Sequence, residues 1–421
     1  MKKKMMRFLI VIASLLLFVT ACGTDVDDSS VNEQKKNNTS FAQDDYKEIT
    51  NSNNELAFKL LKEVEKDEQG NVFISPTSLF MALSMVYNGA DGETKKEIAE
   101  ILQVSGIEVD DLNKANASLL AMLTKESERI TVDIANSVWI NDEFHFQQEF
   151  EKDVSDFYQA EMKEFNPMDE QAAKTINGWV EKETQEKIKE IVENPLNPDL
   201  VMMLLNAIYF NGEWTYEFDK NLTEIREFFL SDGTTTQIPF MNRRENFLYM
   251  ENDDFQAVSL PYGDGEMSMK VFLPKEGKSL TDFENALSNE QWREWDKQFS
   301  QQEGIVNMPK FKMEYEIELN SVLQKLGMPT AFTEKAEFPK LIQEDAPLMI
   351  DKVKQKTFID VHEKGTESAA VTSVEVVLTS APADEFYMDI NRPFFFMITD
   401  DEAEAILFMG SVSNPKELGD S

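Results

Sequence analysis

Residues 365–382, near the C-terminus, form a stretch in which every charge falls on one face. The stretch reads GTESAAVTSVEVVLTSAP, and at the period of a β-strand both of its glutamates, Glu367 and Glu375, lie on the same side. The other side carries Thr366, Ser368, Ala370, Thr372, Val374, Val376 and Leu378. An exposed loop has no need of this pattern, which is typical of a strand with one buried face.

Two interpretations of this stretch stay open. An ordinary half-buried strand fits the period equally well. The change from small residues to bulky, β-branched ones instead favours a strand that slides into a place where its first residues have little space.

The charge of the chain excludes nucleic acid as a partner, and its cysteine count excludes a fold held together by disulfides. The 421 residues include 78 acidic and 41 basic ones, a net charge of −37 that repels nucleic acid. The single cysteine, Cys22, cannot form an internal disulfide, so stability must come from the hydrophobic core. Because only His145 and His362 could join it, a zinc or haem site of Cys and His cannot form unless carboxylates supply most of the ligands, and we expect neither a metal nor a cofactor.

The first 21 residues are typical of an export signal. Basic residues precede an apolar run, residues 8–19, that is short for a permanent membrane span. The run ends in Val19-Thr20-Ala21-Cys22, which resembles the bacterial lipobox, where the cysteine is lipidated and becomes the new N-terminus. We expect a protein anchored to the outer face of the cytoplasmic membrane through Cys22, or extracellular if released. The alternative is an ordinary secretory signal with a chance cysteine.

The remaining chain predicts a tether followed by one large domain. Residues 22–47 are polar without a hydrophobic period, which predicts a flexible tether. Residues 48–416 contain no second linker or repeat, and their mixed helices and strands without βα alternation predict an α+β fold. The expected helices include 51–66, 79–87, one opened by a capping box at residues 94–97, 111–124, 147–159 and 170–192, and the expected strands include 72–74, 130–140, 201–211, 304–314, 348–362 and two or three within 386–412.

The sequence contains fragments of enzyme motifs, but each motif is incomplete. His362-Glu363 begins like a zinc-protease motif but has no second histidine, and Gly277-Lys278-Ser279 lacks the first glycine of a phosphate-binding loop. No G-x-S-x-G motif is present, and Phe144-His145-Phe146 favours a packed or surface imidazole over a general base. We therefore expect a protein that is not an enzyme.

Several motifs, in order along residues 49–415, are those of a known family. They are NVFISPTS at 71–78, ALSM at 82–85 with Gly89-Ala90, LNAIYFNGEW at 205–214, MPKF at 308–311, EKGTESAA at 363–370 and NRPFFF at 391–396. With these motifs the chain resembles the serpins, the serine protease inhibitor family. The resemblance implies three β-sheets, eight or nine helices, and a reactive loop at about 364–385, between a strand ending near Glu363 and one starting near Phe386.

The resemblance also implies a mechanism and a set of hinge residues. A target protease attacks the loop and forms an acyl-enzyme, and the cleaved loop then inserts into the central sheet and traps the protease. The matching hinge residues are Glu363, Gly365, Thr366, Glu367, Ser368, Ala369 and Ala370.

Counting seventeen residues from Glu363, by the loop length of the family, predicts a scissile bond at Thr379-Ser380. Leu378-Thr379 is the alternative. A small residue at the cut implies an elastase-like protease, and Leu378 would make chymotrypsin-like enzymes plausible, with subtilisin-like enzymes a further possibility. No Lys or Arg lies between Gly365 and Asn391, which argues against trypsin-like targets.

Five further residues match the region where the central sheet of the family opens. They are Ser75, Ser78, Asn206, Trp214 and Gln355. Gln355 stands where many members have histidine, so pH sensing at that position is in doubt. The region from Glu108 to Lys125 starts acidic and gives no sign of a heparin-type site.

The favoured prediction is a monomeric, membrane-tethered suicide inhibitor of serine proteases. Membrane contact is expected through the lipid anchor alone. A non-inhibitory serpin, or an unrelated extracellular binding lipoprotein, is the alternative.

Overall fold

The computed structural model of the chain describes residues 40–366 and 385–415, which form an α+β fold. These ranges contain nine α-helices, in agreement with the eight or nine that the resemblance implies. The helices are α1 (Thr50–Glu63), α2 (Pro76–Gly89), α3 (Gly92–Leu102), α4 (Val109–Leu123), α5 (Gln148–Tyr158), α6 (Ala172–Glu183), α7 (Leu280–Ala286), α8 (Asn289–Asp296) and α9 (Asn320–Leu326). Short 3-10 helices lie at Asp45–Glu48, Lys220–Leu222 and Thr330–Phe332.

The same ranges contain fifteen strands. They are β1 (Val72–Ile74), β2 (Ile130–Asn141), β3 (Glu161–Phe165), β4 (Met202–Glu213), β5 (Glu224–Phe229), β6 (Thr235–Glu251), β7 (Phe255–Tyr262), β8 (Met267–Pro274), β9 (Ser300–Pro309), β10 (Phe311–Glu318), β11 (Lys352–His362), β12 (Gly365–Thr366), β13 (Phe386–Asp389), β14 (Phe394–Asp400) and β15 (Ala405–Val412).

Hydrogen bonds join the strands into a central six-stranded sheet and a larger nine-stranded one. The central sheet has the order β10-β11-β12-β4-β2-β3. The larger sheet has the order β1-β15-β14-β8-β7-β6-β9-β13, with β5 added to β6. The 17-residue strand β6 joins two parts of this sheet, one formed with β5, β9 and β13 and one with β7 and the strands beyond it. With the central sheet, these parts account for the three sheets that were expected.

Helix α2 lies in the middle of the core. All fourteen of its residues are buried, and it packs against both β15 and β4. Its start agrees with the sequence, since the Ser75 side chain accepts a hydrogen bond from Ser78 N–H and Pro76 occupies the first helical position. A helix that is apolar on all sides has to be buried in this way.

Two helix predictions need correction. The expected capping box at residues 94–97 is wrong, because Asp91 caps α3, while the hydroxyl of Thr94 accepts from Glu337 N–H and the carboxylate of Glu97 accepts from Thr330. The helix expected over 170–192 ends at Glu183. Thr184 stops it, because its hydroxyl donates to Val180 O and accepts from Ile188 N–H.

The packed chain begins earlier than residue 48. Tyr46, in the 3-10 helix Asp45–Glu48, is only 4% exposed, and the hydroxyl of Ser118 on α4 donates to Gln43 O at 2.9 Å. Residues 40–47, which the sequence assigns to the tether, thus belong to the folded part. The polar composition did not predict this because a single buried tyrosine leaves no periodic pattern.

Candidate functional site

The central sheet is parted at one end by the two residues of β12. Thr366 pairs with Val361 on β11 and with Gly212 on β4, and both ladders are antiparallel. Beyond these two residues, β11 and β4 are direct neighbours, and residues 352–357 of β11 pair in parallel with residues 203–208 of β4. The start of the stretch 365–382 therefore lies between two strands that are otherwise hydrogen-bonded to each other.

Gly365 fits this gap because it has no side chain. A Cβ atom at this position would lie 2.1 Å from the carbonyl oxygen of Gly212 and 2.7 Å from the Cα of Glu213. Both neighbours are backbone atoms of β4 and cannot rotate away. The glycine that opens the stretch is therefore required by the close approach of the two strands.

Thr366 points into the core and is 0% exposed. Its hydroxyl lies 2.7 Å from the Tyr262 hydroxyl, and burial raises the pKa of Tyr262, so this pair is neutral. The Tyr262 ring stacks on Trp214, with ring centroids 4.3 Å apart. Trp214 also holds the turn before β12, because its indole N–H donates to His362 O at 2.9 Å and its backbone N–H to Lys364 O at 2.8 Å.

Glu363 is a buried carboxylate that ties this turn to the rest of the fold. It lies 3.1 Å from the Lys310 ammonium and accepts a hydrogen bond from the Thr223 hydroxyl at 2.8 Å. Its carbonyl accepts from Phe218 N–H at 2.8 Å. Burial alone would raise the pKa of Glu363, but hydrogen bonds from its own backbone N–H, from Thr223 and from Lys310 together hold that pKa below 4.5.

Replacing Glu363 by glutamine is expected to lower the free energy of unfolding by about 1–3 kcal/mol at neutral pH, because Lys310 loses its charged partner. Since the pKa of Glu363 is lowered on folding, its contribution is complete above pH 4.5 and is lost as the pH falls below that value. The difference between the two proteins should therefore shrink in acid. Urea unfolding at neutral and acidic pH measures this, and a difference that stays constant would contradict the role of the charge.

A second, fully polar cluster bridges β4 and β11 where they pair directly. Gln355 and Asn206 lie opposite each other, and the Gln355 amide donates to Asn206 Oδ1 at 2.9 Å and to Ser75 O at 2.8 Å, while its oxygen accepts from Ser75 N–H at 2.9 Å. The Asn206 amide donates to the Ser78 hydroxyl and to Asn136 Oδ1. These four predicted residues, Ser75, Ser78, Asn206 and Gln355, therefore meet at the start of α2. None of them is titratable, so this contact cannot be switched by a proton.

The opposite face of β11 is covered by the segment after α6. The Lys354 ammonium donates to Ile191 O at 2.9 Å, and the Lys356 ammonium donates to Glu190 O at 2.8 Å. Both lysines also pair with glutamates of β10, at 2.8 Å to Glu316 and 2.7 Å to Glu314.

The sequence did not predict the residues that contact the predicted site residues. Tyr262, Lys310 and Thr223 give no local signal because each reaches the site from a distant part of the chain. Lys354 and Lys356 could have been found, because alternating lysines on β11 face alternating glutamates on β10 in register.

The remaining predicted residues divide into two groups. Trp214, Glu363, Gly365 and Thr366 lie together at the parted end of the sheet, apart from the polar cluster. The others, Glu367, Ser368, Ala369, Ala370, Leu378, Thr379, Ser380 and Cys22, lie outside the described residues.

Two features are absent from the described residues. In residues 40–366 and 385–415, no three His, Cys, Asp or Glu side chains form a group that could hold a metal ion. None of the helices in the same two ranges is both long enough and apolar enough to cross a membrane.

Comparisons with known proteins agree with this geometry. A family model described as Serpin (serine protease inhibitor) matches residues 51–415. Serpin B6 of Pongo abelii is 35% identical over 380 residues, which cover 87% of this chain and 99% of that protein. An uncharacterized serpin-like protein of Thermococcus kodakarensis is 34% identical over an alignment of 446 residues, gaps included. The alignment covers 98% of this chain and 100% of that protein.

Solved structures share the fold. The native state of the thermophilic serpin tengpin superposes with a TM-score of 0.83 at 33% identity, over 89% of this chain and 96% of that one. Human thyroxine-binding globulin superposes with a TM-score of 0.82 at 27% identity, over 89% of this chain and 100% of that one.

The fold and the site define an α+β protein whose central sheet is parted at one end by Gly365 and Thr366. With the matches above, the chain belongs to the serpin family. Serpins are generally inhibitors of serine proteases rather than enzymes.

Proposed function

We propose that this serpin is a suicide-type inhibitor whose reactive loop is cut at Thr379-Ser380, with Leu378-Thr379 as the alternative bond. The serine hydroxyl of the protease attacks the carbonyl carbon of Thr379, an ester forms, and the amine of Ser380 leaves with the proton that the hydroxyl gives up. The segment before the cut then extends β12 through the central sheet. The observation that carries the proposal is the pairing of Gly365 and Thr366 with both β4 and β11.

The register of β12 supports insertion of the whole segment. Thr366 lies opposite Gly212 and Val361, so an antiparallel strand that continues in the same register brings Thr372, six residues on, opposite Asn206 and Gln355. The Thr372 hydroxyl then occupies the position of the direct contact between these two amides. The inward side of the new strand is the uncharged one, because it continues from the buried Thr366.

The energetics favour insertion once the loop is cut. Net gains of about 1 kcal/mol per ladder hydrogen bond and about 1.5–3 kcal/mol per large buried side chain amount to on the order of 10–20 kcal/mol. Before the cut, the loop is held at both ends and cannot deliver this gain. A release of this size makes the trapped state effectively irreversible.

The side chains around the bond favour an elastase-like target. Thr379 suits a protease with a small, apolar pocket, whereas Leu378 would suit a chymotrypsin-like enzyme, and subtilisin-like enzymes are further candidates. The absence of Lys and Arg between Gly365 and Asn391 makes trypsin-like enzymes poor partners.

The proposal includes export and a lipid anchor at Cys22, which rest on the sequence alone. Residues 1–21 act as the signal, and the inhibitor works as a monomer outside the cytoplasmic membrane.

Titration of an elastase with the full-length protein tests the proposal. We expect activity to fall linearly to zero at about one inhibitor per protease, as expected for effectively irreversible association. Mass spectrometry of the released C-terminal fragment should begin at Ser380, or at Thr379 for the alternative bond. Complete cleavage of the loop with full recovery of protease activity would favour a non-inhibitory serpin.

A further inference from the structure

Exposed apolar side chains are concentrated in one short segment of the described chain. Of the seven large apolar side chains that are exposed in residues 40–366 and 385–415, four lie within residues 216–229. They are Tyr216 (54% exposed), Leu222 (51%), Ile225 (64%) and Phe229 (47%). We call this surface the 216–229 patch. Such a concentration is typical of a surface that binds another protein.

The 216–229 patch adjoins both ends of the reactive loop. Two of its residues bind Glu363 before the loop, since Phe218 N–H donates to the Glu363 carbonyl and the Thr223 hydroxyl donates to the Glu363 carboxylate, both at 2.8 Å. After the loop, Phe229 N–H donates to Asn391 O at 2.8 Å, and Arg226 pairs with Asp389 at 2.7 Å. A protease held on the loop would therefore have the patch beside it.

The patch is held rigidly. All six residues of β5 pair with β6. The guanidinium of the buried Arg243 lies between the rings of Phe218 and Phe247, at 4.7 Å and 4.8 Å from their centroids, and donates to Tyr216 O. Binding to a surface that is already ordered costs little conformational entropy.

Charge indicates what kind of partner fits. Three glutamates, Glu217, Glu224 and Glu227, and one lysine, Lys220, are exposed among the apolar residues of the segment, so its exposed charge is negative. Ile225, Glu227 and Phe229 share one face of β5. A second copy of this chain would bring like charges together, since each copy carries a net charge of −37. A cationic partner is favoured instead.

We propose that the 216–229 patch is a second contact surface for the target protease, and that it binds an apolar, cationic region beside the active-site cleft of that protease. This inference rests on the proposed inhibitory function. The residues at the cut favour elastase-like proteases, and the 216–229 patch would favour the basic ones among them.

The test compares the full-length protein with its triple variant Leu222→Ser/Ile225→Ser/Phe229→Ser against a basic elastase. We expect the second-order rate constant of inhibition to fall about tenfold or more, in the range of a hot-spot loss. The number of inhibitors consumed per protease should stay the same, because the hinge is unchanged. The matched control, Met168→Ser/Leu248→Ser, removes two exposed apolar side chains elsewhere and should leave the rate unchanged.

A second variant covers the case in which the triple variant folds poorly. Glu227→Lys keeps the apolar side chains and should slow inhibition of the basic elastase at low salt but not at high salt. Equal rates for the unchanged protein and both variants would overturn the proposal. A concentration-dependent dimer that the triple variant abolishes would also overturn it, because the patch would then bind a second copy. If the unchanged protein traps no protease at all, the inhibitory function fails, and this inference fails with it.

Discussion

Replacing Thr366 by arginine is expected to turn the inhibitor into a substrate. Thr366 is fully buried, its hydroxyl contacts Tyr262, and its ladder partners are Val361 and Gly212. An arginine cannot be accommodated there without desolvating its charge, at a cost of about 3–5 kcal/mol. The segment that inserts continues directly from this residue, so a charge here should slow insertion and give water time to hydrolyse the acyl-enzyme.

The measurement is the number of inhibitor molecules consumed per inactivated protease. Since each 1.4 kcal/mol is about a factor of ten in a ratio of competing outcomes, we expect this number to rise from about one to more than about ten. Thr366→Ser is the matched control, because it keeps the hydroxyl that contacts Tyr262, and it should inhibit like the unchanged protein. Unchanged stoichiometry in Thr366→Arg would mean that the wrong face of the segment has been assigned to the core.

Cleavage of the reactive loop should strongly stabilise the protein. Within residues 40–366 and 385–415 of the uncut chain, β12 adds two residues to the central sheet, and β4 and β11 pair directly beyond them. Insertion replaces this single ladder with two, one on each side of the new strand. With a gain on the order of 10–20 kcal/mol and an unfolding entropy of about 2.1 cal/mol/K per residue, the midpoint of thermal unfolding of a domain of this length should rise by about 13–26 °C.

The experiment cuts the loop with a protease that is not inhibited and compares thermal unfolding before and after. Thr366→Arg, cut in the same way, is the control, and its midpoint should rise less, because the buried charge offsets about 3–5 kcal/mol of the gain. A cut protein that unfolds at the same temperature as the intact one would show that no strand is added, which would contradict the proposed mechanism.

Much of the site could be predicted because its pattern is local. The alternation around Thr366 and the glycine before it lie within a few residues of each other, and period two alone assigns their faces. The expected strand end near Glu363 and the strand start near Phe386 agree with β11, which ends at His362, and with β13, which begins at Phe386. The pattern of residues predicted strands at 348–362 and within 386–412, and the resemblance to the serpins placed the ends near Glu363 and Phe386.

The partners of these residues could not be predicted because they are distant in sequence. Lys310 and Thr223 reach Glu363 from 53 and 140 residues away, and a single sequence gives no signal for such pairs. The helix expected to reach residue 192 was too long because Thr184, which is an ordinary helix residue in a periodic pattern, bonds back to Val180. The expected capping box was wrong for a related reason, since Thr94 and Glu97 serve distant backbone groups.

The most direct test of the central claim is to incubate the full-length protein with an elastase, denature the mixture and determine the mass of the product. We predict one species equal to the protease plus the residues up to Thr379, joined by an ester between the protease serine and the Thr379 carbonyl. For the alternative bond the ester is at Leu378. Recovery of only free protease and cleaved inhibitor would contradict the claim that this serpin traps its target.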